Sequence, residues 1–295
     1  MVIKQLAYLI ALAREKHFGR AAAAVNISQP TLSAAIKQLE DELGVPIVER
    51  GHRYNGLTAE GEHILSHAKR ILAETDDMRQ TLSELRQGLS GRLRLGVIPT
   101  ALPLVPSVTA PFHARYPAVT VSIRSHTSID IQRGIDDFDI DVGISYLDNE
   151  PLERVISKPI YREGYVLLTR SDGPLGQRDE ISWDEAAEQD LCLLTPDNQN
   201  RRILDGIFRS IGRVPRVSVE TNSIFSMCAH ASVSGRASIV PTQLVEFYGL
   251  PHGTKALKMV RPEPIRTVGL IVADRDPLPP LARSLFTMTG LTLAS

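Results

Sequence analysis

Gln29, Thr31 and Ser33 stand on alternate positions behind a run of alanines in the segment Phe18 to Leu43, FGRAAAAVNISQPTLSAAIKQLEDEL. Their side chains are of the kind that reads nucleic-acid bases: glutamine pairs bidentately with adenine N6/N7, and hydroxyls reach base edges or phosphates. Reading of that kind needs a stiff helix tip, and the flanking residues are suited to build one. Arg20 to Val25 predicts a short helix whose alanines let another helix approach closely, and Asn26 supplies the turn because it tolerates left-handed backbone. Ser28 is placed to cap the next helix, with Pro30 in a first turn where its missing donor is not needed. That second helix has an apolar stripe at Leu32, Ile36, Leu39 and Leu43, which turns Gln29, Ser33, Lys37, Ala34 and Ala35 to the other face. The outward face is short, polar and flat, which suits the DNA major groove. A capped surface helix packed on two others would look the same.

Beyond Gly44, VPIVERGHRYNGLT sets two short β-prone runs around polar and glycine residues, a wing carrying Arg50 and Arg53. Arginine contacts phosphates or enters a narrow minor groove, so this pair is assigned to backbone and groove-edge contacts; solvated loop arginines are the alternative. Residues 1 to 60 hold seven Lys/Arg against six Asp/Glu, so any basic footprint is local.

The helix Ile3 to Arg14, the FGRAAAAVNISQPTLSAAIKQLEDELG block, and ER…R…LTAEG together resemble the LysR-type transcriptional regulators. The resemblance runs the length of the chain. It implies that Gln29, Pro30 and Ser33 touch DNA, with the wing arginine Arg53. Ala34 and Ala35 depart from the long polar residues of many members.

At 295 residues, 43% apolar and 23% charged, the chain is long enough for two or three cores of ordinary globular composition. Its net charge of −1 rules out a whole-molecule attraction to nucleic acid or anionic membrane, so affinity for double-stranded DNA must come from placement and dimerisation. With no signal-like start and no run of 18 apolar residues, neither membrane spanning nor export is expected, and the reading is cytoplasmic. Cys192 in LCLLT and Cys228 in SMCAHAS read as small buried hydrophobes, a redox pair being the alternative.

From Thr58 to Gln87, positions Ile64, Ala68, Ile71, Thr75, Met78, Leu82 and Leu85 alternate in steps of four and three. This heptad seam predicts a helix of about 30 residues, about 45 Å long, that pairs with a second copy. A single amphipathic helix lying on its own core is the alternative. His63 and His67 could clip a metal at i, i+4, but with no third ligand none is expected.

Gly88, Ser90 and Gly91 mark a boundary, after which strands alternate with helices. Candidate strands are Leu93 to Ile98, Val119 to Arg124, Asp141 to Ser145, Tyr165 to Thr169, Leu191 to Leu194, Val217 to Glu220, Ser238 to Val240 and Val268 to Val272. The first of the intervening helices is Leu102 to Tyr116. Alternation predicts a mostly parallel sheet in each of two α/β subdomains, with crossings at Lys158 to Tyr161 and Arg261 to Arg266. The fold class expected is therefore α+β multi-domain: a winged helix-turn-helix (1–58), a linker and dimerisation helix (59–88), and an effector domain (89–295). Its subdomain I spans 92–160 and 267–295, subdomain II 161–266, in the periplasmic-binding-protein-like arrangement that the resemblance implies.

Open α/β folds bind ligands beyond the carboxyl ends of their strands. That rule selects Thr100 with the Ala101 amide, Thr127, Ser128, Ser145, Tyr146, Thr195, Pro196 and Asn222, ringing one crevice suited to a small anion at a helix N-terminus. Each one alone could be a mere cap. The resemblance favours Thr100, Thr127 or Ser128, and Thr195 as effector contacts.

Scattered histidines and the lack of a nucleophile elbow or phosphate loop argue against an enzyme, and no cofactor is expected. The resemblance implies a regulator acting on RNA polymerase as a homodimer or homotetramer, under a carboxylate or other anionic effector. IPTALP, DIDVGISYLDNEPL and LLTPDNQNRRILDGIF are similar to regulators of formate dehydrogenase operons. A redox-sensing regulator and an effector-independent DNA-binding dimer are the alternatives.

Overall fold

A computed structural model of the chain describes residues 2–49 and 54–290. Two compact units emerge, Met1–Gln87 and Gly88–Ser295.

The first unit contains α1 (Ile3–Glu15), α2 (Phe18–Ala24), α3 (Gln29–Leu43) and α4 (Ala59–Gln87). His17, not anticipated as a cap, accepts from the Gly19 and Arg20 amides at 3.1 and 3.3 Å and starts α2. Asn26 takes φ 56°, the left-handed turn its short polar side chain tolerates. Ser28 accepts from the Thr31 amide at 3.3 Å, with Pro30 in the first turn of α3. Leu32, Ile36 and Leu39 are at most 2% exposed and pack with Leu9, Leu12, Ala21 and Ala22. Leu43 departs from the expected stripe: it is 40% exposed at the last position of α3, which ends at the left-handed Gly44.

The wing hairpin reduces to an isolated bridge between Val48 and Leu57 among the described residues, held by side chains more than by a ladder. Glu40 Oε1 accepts from the Ile47 and Val48 amides at 2.7 and 3.0 Å, tying the wing to α3. Thr58 donates to the Pro46 carbonyl at 2.7 Å and accepts from the Gly61 amide at 2.9 Å, which joins the wing to the start of α4. Arg50 and Arg53 lie outside the described residues.

The expected seam of α4 divides in two. Ala68 is fully buried in the core of its own unit and so does not face a partner chain, while the partly buried Ile64 is packed against that core. Periodicity alone does not say which apolar face an intramolecular helix takes, and α1 takes this one. Ile71, Met78, Leu82 and Leu85 remain exposed.

The second unit runs β1 (Gly91–Val97), a 3-10 turn (Pro99–Leu104), α5 (Val105–Arg115), β2 (Val119–Ser125), α6 (Ser128–Asp136), β3 (Val142–Tyr146), β4 (Val155–Glu163) and β5 (Tyr165–Arg170). It continues through β6 (Glu180–Ser182), α7 (Trp183–Ala187), β7 (Leu191–Leu194), α8 (Gln199–Ser210), β8 (Val217–Thr221) and α9 (Ile224–Val233). β9 (Ser238–Pro241), α10 (Thr242–Tyr248), β10 (Thr254–Val260), β11 (Arg266–Ala273) and α11 (Pro280–Met288) complete it. One sheet has the order β2-β1-β3-β11-β4 and another β6-β10-β5-β9, with β7 and β8 paired separately.

Neither larger sheet is mostly parallel. β11 runs antiparallel to both β3 and β4, and β5 runs antiparallel to both β9 and β10. The reason is the chain path: β4 leaves the first sheet and β11 returns to it beside β4, in opposite directions. Lys158 to Tyr161, expected as a bare crossing, therefore lies within strand β4. The 261–265 segment does link the second sheet to the first.

Candidate DNA-reading face and effector cavity

On α3 the Leu32, Ile36 and Leu39 anchors leave Ser28, Gln29, Pro30, Thr31 and Lys37 exposed, while Ser33 is half-buried. Ser28 and Thr31 hydroxyls share a hydrogen bond of 2.8 Å, which fixes both at the helix tip. An exposed, rigid, polar tip of this kind can enter a major groove.

In the second unit the nine expected effector residues do not ring one crevice. Seven of them divide between a buried polar cluster, a clamp and an open cavity, and Ser145 and Thr195 join none of the three. Thr100 sits inside the 3-10 turn rather than at the start of a long helix. It is only 3% exposed, and its hydroxyl pairs with that of Tyr146 at 3.3 Å. The Ala101 amide is spent on the Ile98 carbonyl at 3.0 Å, so it does not point at a ligand. Pro99 and Pro103 shape this turn, whose end overlaps the helix expected from Leu102 to Tyr116.

Tyr146 is the centre of the cluster. Its hydroxyl accepts from Asn200 Nδ2 at 2.9 Å and donates to Glu163 Oε1 at 2.5 Å, and the Tyr161 hydroxyl donates to Glu163 Oε2 at 3.4 Å. Glu163 is fully buried, and burial pushes its carboxyl up to about 8 against the lowering effect of the two tyrosine hydrogen bonds. Burial likewise raises the phenols of Tyr146 and Tyr161. Glu163 and Asn200 were not anticipated. Glu163 lies at the end of an unrecognised strand, and nothing in its local sequence marks it as buried. Ser145, also buried, has a hydroxyl without a partner and faces away from this cluster on the alternating strand β3.

Arg202 forms the clamp. It grips Glu150 with two bonds of 2.7 and 2.8 Å, the Pro196 and Asp197 carbonyls at 3.2 and 2.6 Å, and Ser128 Oγ at 3.2 Å. Ser128 and Pro196 are thus held by this guanidinium. Thr195 Oγ1 accepts from Asn198 Nδ2 at 3.0 Å and is used locally.

Thr127 and Asn222 line the cavity, which has a volume of about 1140 Å³. Thr127 caps α6, accepting from the Asp130 amide at 3.2 Å and donating to Asp130 Oδ2 at 2.8 Å. The opposite walls come from α9 and α10, with Cys228 among the lining residues. α10 was not anticipated. Burial pushes both the Cys192 and Cys228 thiols up, so neither is poised as a thiolate. Among the described residues no group of three His, Cys, Asp or Glu could hold a metal ion, and no helix is long and apolar enough to cross a membrane.

A helix-turn-helix unit joined to an α/β unit with two larger sheets and a ligand-sized cavity defines an effector-type DNA-binding regulator. Residues 3–62 match the bacterial regulatory helix-turn-helix protein, lysR family, and residues 86–290 match the LysR substrate binding domain, so the chain belongs to the LysR family of transcriptional regulators. It is similar to the DNA-binding transcriptional dual regulator OxyR of Escherichia coli K12, 29% identical over 279 residues covering 94% of this chain and 91% of that protein. A probable hydrogen peroxide-inducible genes activator of Streptomyces viridosporus is 35% identical over 195 residues, covering 65% of this chain and 62% of that protein. Among solved structures, full-length Pseudomonas aeruginosa OxyR with a cysteine-to-aspartate substitution aligns with TM-score 0.75 at 25% identity, covering 99% of this chain and 100% of that one. CbnR in complex with its target DNA aligns with TM-score 0.71 at 21% identity over 98% of this chain and 100% of that one, a likeness of fold.

Proposed function

We propose that this regulator reads operator DNA with the tip of α3 and that a small molecule in the cavity of the second unit controls that binding. The observation that carries the reading is the exposed, doubly hydroxyl-braced tip of α3 on a buried Leu32, Ile36 and Leu39 base. Gln29 and Ser33 read bases, Ser28, Pro30, Thr31 and Lys37 approach the backbone, and Arg50 and Arg53 join them from the wing. Two copies pair through the exposed part of α4, Ile71, Met78, Leu82 and Leu85, as a homodimer or as half of a homotetramer that meets RNA polymerase at the promoter. Subdomains 92–160 with 267–295, and 161–266, close differently with and without the effector, as a difference in affinity for two states requires.

Control of formate dehydrogenase operons draws its support from three sequence segments, IPTALP, DIDVGISYLDNEPL and LLTPDNQNRRILDGIF. A reporter driven by such a promoter, silent in a strain without this chain, checks it. An anionic effector at Thr100 has against it that the hydroxyl and the Ala101 amide are already bonded, so the reading carried forward leaves the effector's charge open. Peroxide sensing, suggested by the names of the relatives, has against it that burial pushes both thiols up, which lowers their thiolate share.

The test is Gln29→Ala against Lys37→Ala in DNA binding. The first should cost about tenfold or more on the operator and little on random DNA, and the second should weaken both and lower the salt slope by about one. Equal loss on both DNAs for Gln29→Ala rejects base reading.

A further inference from the structure

The cavity differs in chemistry from the site expected in the sequence. Its body is apolar: Leu102, Leu168, Ile224, Phe225, Val245 and Tyr248 are among its walls. Phe225 is 83% exposed and Tyr248 67% exposed, large apolar surfaces on the cavity wall. Two carboxylates, Asp130 and Asp197, stand on its lining with the imidazole of His126, and among the described lining residues there is no lysine or arginine. Arg202, outside the lining, bonds Glu150, the Pro196 and Asp197 carbonyls and Ser128. Both carboxylates are on exposed residues; Asp130 Oδ2 accepts from the Thr127 hydroxyl, and the Arg202 charge acts on Asp197.

Size and charge then agree. A three-atom carboxylate would leave nearly all of about 1140 Å³ unfilled and would face two like charges. A drug-sized molecule fills cavities of about 300–1,000 Å³, and apolar walls with a few convergent polar groups are the usual lining of such sites.

We infer that the cavity takes an organic cation: an apolar or aromatic body seated between α9, α10 and the 3-10 turn, with a protonated amine directed to Asp130 and Asp197. The inference rests on the proposed effector role of this cavity and names the effector's class. The amine donates to the two carboxylates and to the polar edge formed by Thr127 and Asn222, while the body covers Phe225 and Tyr248.

The test is calorimetric titration of the full-length protein with three probes that share one body and differ at one end: 2-phenylethylamine, 2-phenylethanol and 3-phenylpropanoate. The amine should bind about tenfold more tightly than the carboxylate, with the alcohol between them, since attraction of the amine and repulsion of the carboxylate by the two exposed aspartates add. Asp130→Asn with Asp197→Asn should erase the amine's advantage over the alcohol and leave the alcohol's own affinity within a few-fold. Ala229→Trp, which places a bulky ring in the cavity, should abolish binding of all three. Tighter binding of the carboxylate overturns the inference, as does failure of every probe, the outcome expected if a second copy of the chain covers this face. Operator binding measured in the same samples separates the two levels: amine binding that leaves DNA affinity and bending unchanged upholds the ligand class and rejects the control function.

Discussion

Tyr146 donates a 2.5 Å hydrogen bond to Glu163 across the junction where β4, the last strand to leave the first sheet, hands over to β5 of the second. Asn200 on α8 donates to the same hydroxyl, so two strands of the first sheet and helix α8 meet on one phenol.

The carboxyl of Glu163 therefore makes stability pH-dependent. Its folded-state value of about 8 lies above that of an unfolded glutamate, so the folded protein holds a proton that the unfolded chain has released in the interval between them. The stabilisation is complete below the unfolded value and is lost as pH rises through about 8. The slope for one proton is about 1.4 kcal/mol per pH unit at its steepest. Glu163→Gln should flatten urea-unfolding stability between pH 5 and pH 8, a range set by those two values, and should be the more stable protein at the upper end. Parallel curves for the two proteins would reject a buried neutral carboxyl.

Gly61 is confined by backbone. A Cβ there would come 2.2 Å from the Ile47 carbonyl oxygen and 3.1 Å from Thr58 Oγ1, where the wing joins α4. Gly61→Ala should cost about 1–3 kcal/mol and weaken operator binding without selectivity for sequence, read by urea unfolding and by competition with random DNA. An unchanged unfolding curve would show that this junction yields freely.

The two halves of α4 should respond differently to charge. Leu82→Asp with Leu85→Asp, at 50% and 78% exposed positions, should leave folding intact and shift the assembly towards smaller species in analytical ultracentrifugation. Ala68→Asp, in the core of the DNA-binding unit, should instead unfold that unit, at a cost of several kcal/mol for an unpaired buried charge. Assembly unchanged in the double variant would place the dimer contact elsewhere.

Cys192 and Cys228 should both react with peroxide more slowly than free cysteine at pH 7, because burial raises both thiols. Thiol counting by mass spectrometry after a mild dose should find both reduced, and Cys192→Ser with Cys228→Ser should leave operator binding unaltered by peroxide. Rapid loss of either thiol would restore a redox role.

Local signals were the legible ones. Asn26, Ser28 and Pro30 act on their own turn and helix start, and Leu32, Ile36 and Leu39 follow from helical spacing, so the reading helix could be drawn from sequence. The effector unit was legible as alternating elements but not as a site. Thr100 and Thr127 both follow strands; only the 3-10 turn and its packing bury the first and leave the second on the cavity. The same limit applied to α4, whose apolar rhythm is equally good for a partner chain and for α1.

What the sequence by itself determined was a helix-turn-helix, a long helix and an α/β unit in that order, because backbone capping, turn preference and apolar periodicity act between residues a few positions apart. Only the tertiary structure decided that β11 returns beside β4, that Glu163 is buried under Tyr146, and that Asp130 and Asp197 share a cavity lined without a lysine or arginine among its described residues. Burial, charge environment and cavity shape arise between residues tens to hundreds of positions apart, and no local pattern records which of them will meet.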